Sequence, residues 1–160
     1  MDGLVTALTI VTAVGCGVNG GVFFGFSSFV MPALARLRPA DGTAAMQSIN
    51  VMAPTPVFMT ALFGTGALCV ATIVAGLAGL DESYGGWLVA GGVIYLAGTI
   101  VLTMLYHVPR NNALAAVDPA TPEAARLWER YLTEWTRANH IRAAAGAAAA
   151  ALLVLGVDAG

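Results

Sequence analysis

The stretch WERYLTEWTRANHIR, residues 128–142, continues without a helix breaker into a fully apolar tract, residues 143–157. Successive side chains turn by about 100° around an α-helix, so one stripe of this stretch carries Trp128, Leu132, Trp135, Asn139 and Arg142. The opposite side carries Arg130, Glu134 and Arg137, as a solvated face would. The stripe is either an interfacial anchor, because Trp and Arg favour the membrane boundary, or one wall of a functional pocket.

The composition is that of an integral membrane protein. Of the 160 residues, 58% are hydrophobic and 10% are charged, whereas soluble domains carry about 25% charged residues. All seven basic residues are arginines, and they are scattered among acidic residues beside apolar segments, which argues against a nucleic-acid surface. Cys16 and Cys69 lie inside apolar segments and away from any zinc-type spacing, so we predict that they are buried and inert.

The apolar pattern predicts an all-α, integral membrane four-helix bundle that forms a single domain, residues 1–160. We place the spans at about residues 4–34, 57–80, 87–106 and 138–157. After a turn at residues 39–42, a short interfacial helix is expected at residues 43–53. Thr121 can cap a long fourth helix with Pro122 at its first position, and residues 122–137 then extend this helix beyond the membrane into the cytoplasm.

The distribution of arginines predicts the orientation. Four spans place the termini and the loop at residues 81–86 on one side, and residues 36–55 and 107–140 on the other. All seven arginines belong to the second side or to its border. Because cytoplasmic loops are enriched in Lys and Arg, we predict a multi-pass protein of the cell (inner) membrane with both termini exoplasmic.

The same topology gathers most of the polar side chains at the arginine-bearing end of the bundle. A polar minority enclosed by apolar side chains is typical of a ligand pocket. We predict that the following residues bind a lipophilic substrate: Asn19, Phe24, Ser28, Gln47, Asn50, Asn111, Asn112 and Trp135. Several of them have a purely structural alternative role. Asn19 could form a hydrogen bond to a neighbouring helix, and the phenylalanines that follow it could pack in the core.

His107 and His140 are the candidates for proton transfer, because imidazole titrates near neutral pH. Asn139 and Arg142 are further catalytic candidates. Two histidines without a suitable Cys or a carboxylate within the spans are too few for a closed zinc site. A metal held by His107 and His140 and completed by substrate or water is therefore the minority alternative.

A smooth helix face is formed by Gly17, Gly21 and Gly25, which recur every four residues in the first span. Small residues let helix backbones approach closely in a membrane. This face suits packing within the bundle and homo-oligomer formation equally well.

The chain resembles the anthrone oxygenase family, a group of small four-helix membrane proteins, over nearly its whole length. The resemblance rests on FFGFSSFVMPAL at residues 23–34, AAMQSIN at 44–50, VPRNNALAAVDP at 108–119 and, most specifically, ARLWERYLTEWTRANHIR at 125–142. The chain has His107, Arg110 and Asn112 where the family pattern has Asn, an apolar residue and an acidic residue. These departures point to a substrate that differs from the family's named one.

The resemblance implies oxidation of an anthrone to an anthraquinone, with O₂ as co-substrate and no conventional flavin or haem. It implies His140 or His107 as general base, with Asn139, Asn111 and Arg142 stabilising an enolate oxygen and Trp135 stacking on a flat ring. The alternative is a non-catalytic membrane protein that binds a lipophilic molecule such as a quinone or partners a membrane complex. A transporter is disfavoured, because no charged residue is predicted in the middle of a span.

Overall fold

Five helices make up the computed structural model, which describes residues 1–160. They are α1 (Gly3–Leu34), α2 (Pro39–Met52), α3 (Pro56–Ala78), α4 (Gly85–Ala115) and α5 (Pro122–Ala159). All but α2 are long and apolar enough to cross a membrane. The chain is thus an all-α membrane bundle of four spans with one short helix between the first two, as the sequence predicts.

The four long helices form a ring in which α1 and α4 each pack against both α3 and α5. Helices α1 and α5 pack closely at two glycines that face each other. A Cβ atom on Gly146 would lie 2.7 Å from the Cα atom of Gly20, so neither helix can carry a side chain at this crossing. The predicted glycine face lies elsewhere, since Gly17 and Gly21 are exposed on the outside of the bundle.

Both termini meet the loop between α3 and α4 at one end of the bundle. The amino group of Met1 donates a hydrogen bond to the Gly160 carbonyl oxygen at 2.9 Å, and the Ser83 hydroxyl donates to the Ala159 carbonyl. The segments that contain the arginines therefore lie at the other end, as four spans require.

The short helix α2 begins at Pro39, where the sequence indicated a turn. Proline suits the first turn of a helix, because its fixed φ is already helical and its missing N–H would have no partner there. Arg38 supports this start from outside the helix, since its Nε donates to the Asp41 carboxylate at 2.7 Å. Gln47 then holds α2 across the bundle, with Nε2 donating to the Leu114 and Val117 carbonyl oxygens at 2.8 and 2.9 Å.

Helix α4 runs past its predicted end at Tyr106 and through Pro109 to Ala115. A proline inside an α-helix normally clashes with the carbonyl four residues before it. Here the preceding segment, Thr103–His107, is π-helical, and the wider turn relieves the clash because its hydrogen bonds reach back five residues. The sequence ended this helix at residue 106, and the structure corrects that prediction because residues 107–115 are also helical.

The start of α5 agrees with the sequence, because the Thr121 hydroxyl accepts a hydrogen bond from the Ala124 amide at 3.2 Å. The first half of α5 does not stand alone in water. Trp128 and Tyr131 are buried against α2 and the end of α4 in one hydrophobic cluster, whose members are Met31, Met46, Leu114, Trp128, Tyr131 and Trp135.

Candidate functional site

A cavity of about 200 Å³ lies at the arginine-bearing end, lined by side chains from all five helices. Most of its wall is apolar, with Phe23, Phe26 and Phe58 among the aromatic contributors. The polar part of the wall comprises Asn50, Thr103, His107, Asn111 and Arg142. The cavity has the composition expected of a lipophilic-ligand site, an apolar lining with a few convergent polar groups.

Three of the helices that line the cavity depart from α-helical geometry beside it. The π-helical segments Phe26–Val30 of α1, Thr60–Gly64 of α3 and Thr103–His107 of α4 each contribute a lining residue. A fourth such segment, Leu96–Val101, precedes the last of these in α4. A π turn inserts an extra residue and redirects the side chains after it, and such turns are frequent at functional sites.

Arg142 brings a buried positive charge to the cavity. Its side chain is 5% exposed, and its Nε and Nη2 donate to the Asn139 Oδ1 at 3.1 and 2.6 Å. Nη1 donates to the Thr103 hydroxyl at 3.2 Å, and the guanidinium carbon lies 4.1 Å from the centre of the Phe23 ring. The ion pairs of the molecule are Arg38–Asp41 and Arg110–Glu134, so Arg142 is held by neutral polar groups and by the aromatic rings of Phe23 and Trp135.

Asn139 positions Arg142 and does not itself line the cavity. It is fully buried, and its Nδ2 donates to the Phe23 carbonyl oxygen and to the Ser27 hydroxyl, both at 2.7 Å. These two bonds fix the amide orientation, which leaves Oδ1 facing the guanidinium. Asn139 therefore links α1 to the charged group of the site.

A stack of three aromatic rings leads from the cavity toward α2. The stack contains Trp128, Tyr131 and Trp135, and its neighbouring rings are within 20° of parallel with centroids 5.8 and 5.9 Å apart. The Tyr131 hydroxyl and the Trp135 Nε1 both donate to the Asn111 Oδ1, at 2.7 and 3.0 Å. Asn111 thus fixes the end of α4 against α5. Sequence reasoning missed Tyr131, although its spacing of three and four residues from the tryptophans would have placed it on their stripe.

His107 is the titratable group with the least satisfied surroundings. It is 1% exposed and its ring meets the edge of Trp135 at 5.0 Å between centroids. Neither of its ring nitrogens has a hydrogen-bond partner, and the Nδ2 of Asn50 on the facing wall has none either. Buried polar groups are normally paired, so both side chains have hydrogen-bonding capacity left for a ligand in the cavity.

His140 lies on the exposed side of α5 and does not line the cavity. It follows Asn139 directly, and one residue rotates a side chain by about 100° around the helix. The structure thus does not bring the two histidines to one site. No group of three or more His, Cys, Asp or Glu side chains is placed to hold a metal ion.

Five of the eight predicted binding residues lie outside the cavity. Asn112 is exposed, Gln47 is engaged with the end of α4, and Phe24 and Ser28 face outward from α1. Asn19 is buried deeper in the bundle, where its Nδ2 donates to the carbonyl oxygens of Gly15 and Ala61. Asn50, Asn111 and Trp135 do line the cavity, together with His107 and Arg142.

The exposed Phe24 and Ser28 are each one position away from the inward-facing residues of α1. Phe23 and Ser27 follow Asn19 at steps of four residues, and all three are buried. A polar residue in the middle of a span must face the protein interior. Asn19 therefore contained the signal that marks Phe23 and Ser27, instead of Phe24 and Ser28, as the inner face of α1.

Comparison with known proteins identifies one family. The family model described as anthrone oxygenase matches residues 56–152, which include α3, α4 and most of α5. No curated protein and no solved structure matches the chain.

Proposed function

The chain belongs to the anthrone oxygenase family, and we propose on that basis that it oxidises a compact, flat, lipophilic aromatic substrate with O₂ inside the cavity. The arrangement that carries the proposal is a buried imidazole with no partner, His107, facing the same cavity as a buried guanidinium, Arg142. A base and a cation at one apolar site suit a reaction that begins by making an anion.

The proposed reaction converts a ring CH₂ group, which is conjugated with a ketone through a fused aromatic ring, into a second carbonyl. A nitrogen of His107 accepts a proton from the CH₂ carbon, and the electron pair of the broken C–H bond is delocalised onto the ketone oxygen. The resulting electron-rich anion reacts with O₂, which supplies the oxygen atom of the new carbonyl and leaves its other oxygen as water. We propose no added cofactor for these steps.

Arg142 stabilises the oxyanion, because a fixed positive charge in apolar surroundings acts strongly on charge that develops beside it. The hydrogen bonds from its Nε and Nη2 to Asn139 hold the guanidinium in place before the substrate arrives. Asn50, with an unpaired Nδ2, is the proposed donor to a second oxygen on the ring system.

The aromatic wall of the cavity suits a planar substrate. Phe26 and Trp135 have ring centroids 6.0 Å apart, and aromatic side chains bind flat rings by offset or edge contacts. The volume of about 200 Å³ exceeds the roughly 150 Å³ that holds benzene and lies below the roughly 300 Å³ at which pockets for drug-sized ligands begin. A system of two or three fused rings would fill it, with its outer edge at the opening.

The test is O₂ consumption and quinone formation from anthrone by the purified protein, with His107→Ala beside His140→Ala. Loss of a general base lowers turnover by about 10²–10⁴-fold, so we expect that loss in His107→Ala alone. The exposed His140 is the matched control on the same end of the bundle. Full turnover in His107→Ala would disprove the base assignment. A wild-type protein that binds anthrone without exceeding its autoxidation would be a binding protein and no oxygenase.

We also propose that the cavity end of the bundle faces the cytoplasm, in a bacterial inner membrane. The support is the distribution of charged side chains. Every arginine of the chain belongs to the segments of that end, whereas the charged side chains at the other end are all acidic.

A further inference from the structure

Toward the arginine-bearing end of the bundle the cavity is covered except at Pro54, an exposed lining residue in the loop between α2 and α3. Helix α2 lies over it, and the two hydrogen bonds of Gln47 tie α2 to the end of α4. Beneath α2, the cluster that includes Met46, Leu114 and Trp128 fills the remaining space with side chains that are almost fully buried. A ligand that arrived from water through α2 would have to displace this buried cluster.

Apart from Pro54 in the loop between α2 and α3, the exposed margin of the cavity is apolar and lies within the membrane spans. Val22, Phe63 and Met104 line the cavity and are nevertheless 39%, 44% and 47% exposed on the outside of the bundle. Each belongs to a helix long and apolar enough to cross a membrane. The surroundings of this margin are therefore lipid.

The two sides of α3 differ in how firmly they are closed. On the α1 side, the rings of Phe23 and Phe58 meet edge to face at 6.4 Å, and Asn19 donates to the Ala61 carbonyl oxygen at 3.1 Å. On the α4 side, one hydrogen bond joins α4 to α3: the Tyr95 hydroxyl donates to the Leu62 carbonyl oxygen at 3.1 Å. Nearer the cavity end, no hydrogen bond joins α3 to α4.

The part of α3 that borders this gap is weakly anchored. Its first turn, Pro56–Met59, contains no buried residue, and the π-helical segment Thr60–Gly64 follows directly. Segments with few buried contacts are the ones that open at low cost in free energy. Movement of this turn would widen the gap between Phe63 and Met104 without disturbing the glycine crossing of α1 and α5.

We propose that the ligand reaches the cavity sideways from the lipid, between α3 and α4, and that Phe63 and Met104 set the width of the opening. A lipophilic molecule concentrates in the membrane, so this route presents it to the site at its highest concentration. The inference rests on the proposed function for the nature of the ligand, a flat lipophilic aromatic. It adds the path by which that ligand arrives and the two side chains that select it by width.

Cross-linking across the opening tests the path without turnover. The double variant Phe63→Cys/Met104→Cys in lipid nanodiscs is joined by a flexible bis-maleimide, either before or after loading with anthraquinone, a flat probe that needs no oxidation. The two native cysteines are buried, so the introduced pair is the reactive one. The single variant Phe63→Cys, treated identically, is the control.

Cross-linking before loading should prevent binding, and cross-linking after loading should slow release of the probe by at least about tenfold, because exchange then requires a larger rearrangement. Met104→Trp should slow both loading and release, whereas Leu105→Trp, on the neighbouring exposed position outside the cavity, should not. Unchanged loading in the cross-linked double variant would overturn the path and leave the proposed function intact. Failure of the wild-type protein to bind anthraquinone would overturn both.

Discussion

Replacing Asn139 by alanine should strongly destabilise the bundle, although the side chain is small and touches no ligand. Asn139 makes four buried hydrogen bonds, two to α1 through Phe23 and Ser27 and two to the guanidinium of Arg142. Alanine would leave the Ser27 hydroxyl and the Nε and Nη2 of Arg142 buried without these partners. It would also release the only amide that holds the charge of Arg142 in place.

The magnitude follows from the kinds of bond that are lost. Hydrogen bonds between membrane helices contribute about 0.6 kcal/mol each, so the two neutral bonds contribute about 1 kcal/mol. Hydrogen bonds to charged groups contribute about 1.5–3 kcal/mol, and the two from one guanidinium to one oxygen are best counted as a single interaction. The expected loss is about 3 kcal/mol, which corresponds to a decrease in Tm of about 6–12 °C for a chain of this length.

The assay is thermal unfolding in detergent, followed by circular dichroism, with Asn112→Ala as control. Asn112 is exposed and makes no side-chain hydrogen bond, so its replacement should stay within about 0.5 kcal/mol of the wild type. A double variant, Asn139→Ala/Arg142→Met, removes the charge together with its partner. It should be less destabilised than the sum of the single variants by at least about 1 kcal/mol, because the unpaired buried charge is gone.

Two results would refute this reasoning. A wild-type Tm in Asn139→Ala would mean that the four bonds contribute nothing net in the membrane-mimetic environment. Strict additivity in the double variant would mean that Asn139 and Arg142 are energetically independent, and the positioning role assigned to Asn139 would then fail.

Two further predictions concern the helix crossing and the orientation. Gly146→Ala should destabilise the bundle by about 1–3 kcal/mol, because its Cβ would lie 2.7 Å from the Cα atom of Gly20. Gly21 has open space around it, so Gly21→Ala should be neutral or stabilising. Equal unfolding temperatures for the two variants would contradict the close packing. A membrane-impermeant maleimide should label Glu82→Cys in intact cells and Asn112→Cys only after lysis, because both positions are exposed and lie at opposite ends of the bundle. The reverse labelling pattern would invert the proposed topology.

The inner face of α5 could be predicted from sequence, whereas the inner face of α1 was misjudged. On α5 the stripe of Trp128, Trp135, Asn139 and Arg142 contains polar groups that lipid would not tolerate, and the structure buries all four. On α1 the aromatic and hydroxyl residues come in adjacent pairs, so composition alone does not say which member faces inward. Asn19 would have decided between the members of each pair, because Phe23 and Ser27 follow it at steps of four residues and therefore share the inward face of its buried amide.

The number of spans, the start of α5 at Thr121 and the gathering of polar groups at one end could be predicted without the structure, because each depends on local hydropathy or on one capping side chain. Tertiary structure alone decided that His107 lines the cavity while His140 lies outside it, and that α4 continues through Pro109. The position of His107 and the continuation of α4 depend on π turns, which shift the phase of the side chains after them by one residue, whereas α5, which carries His140, contains none. Such turns form where neighbouring helices stabilise them, and no local residue pattern specifies that.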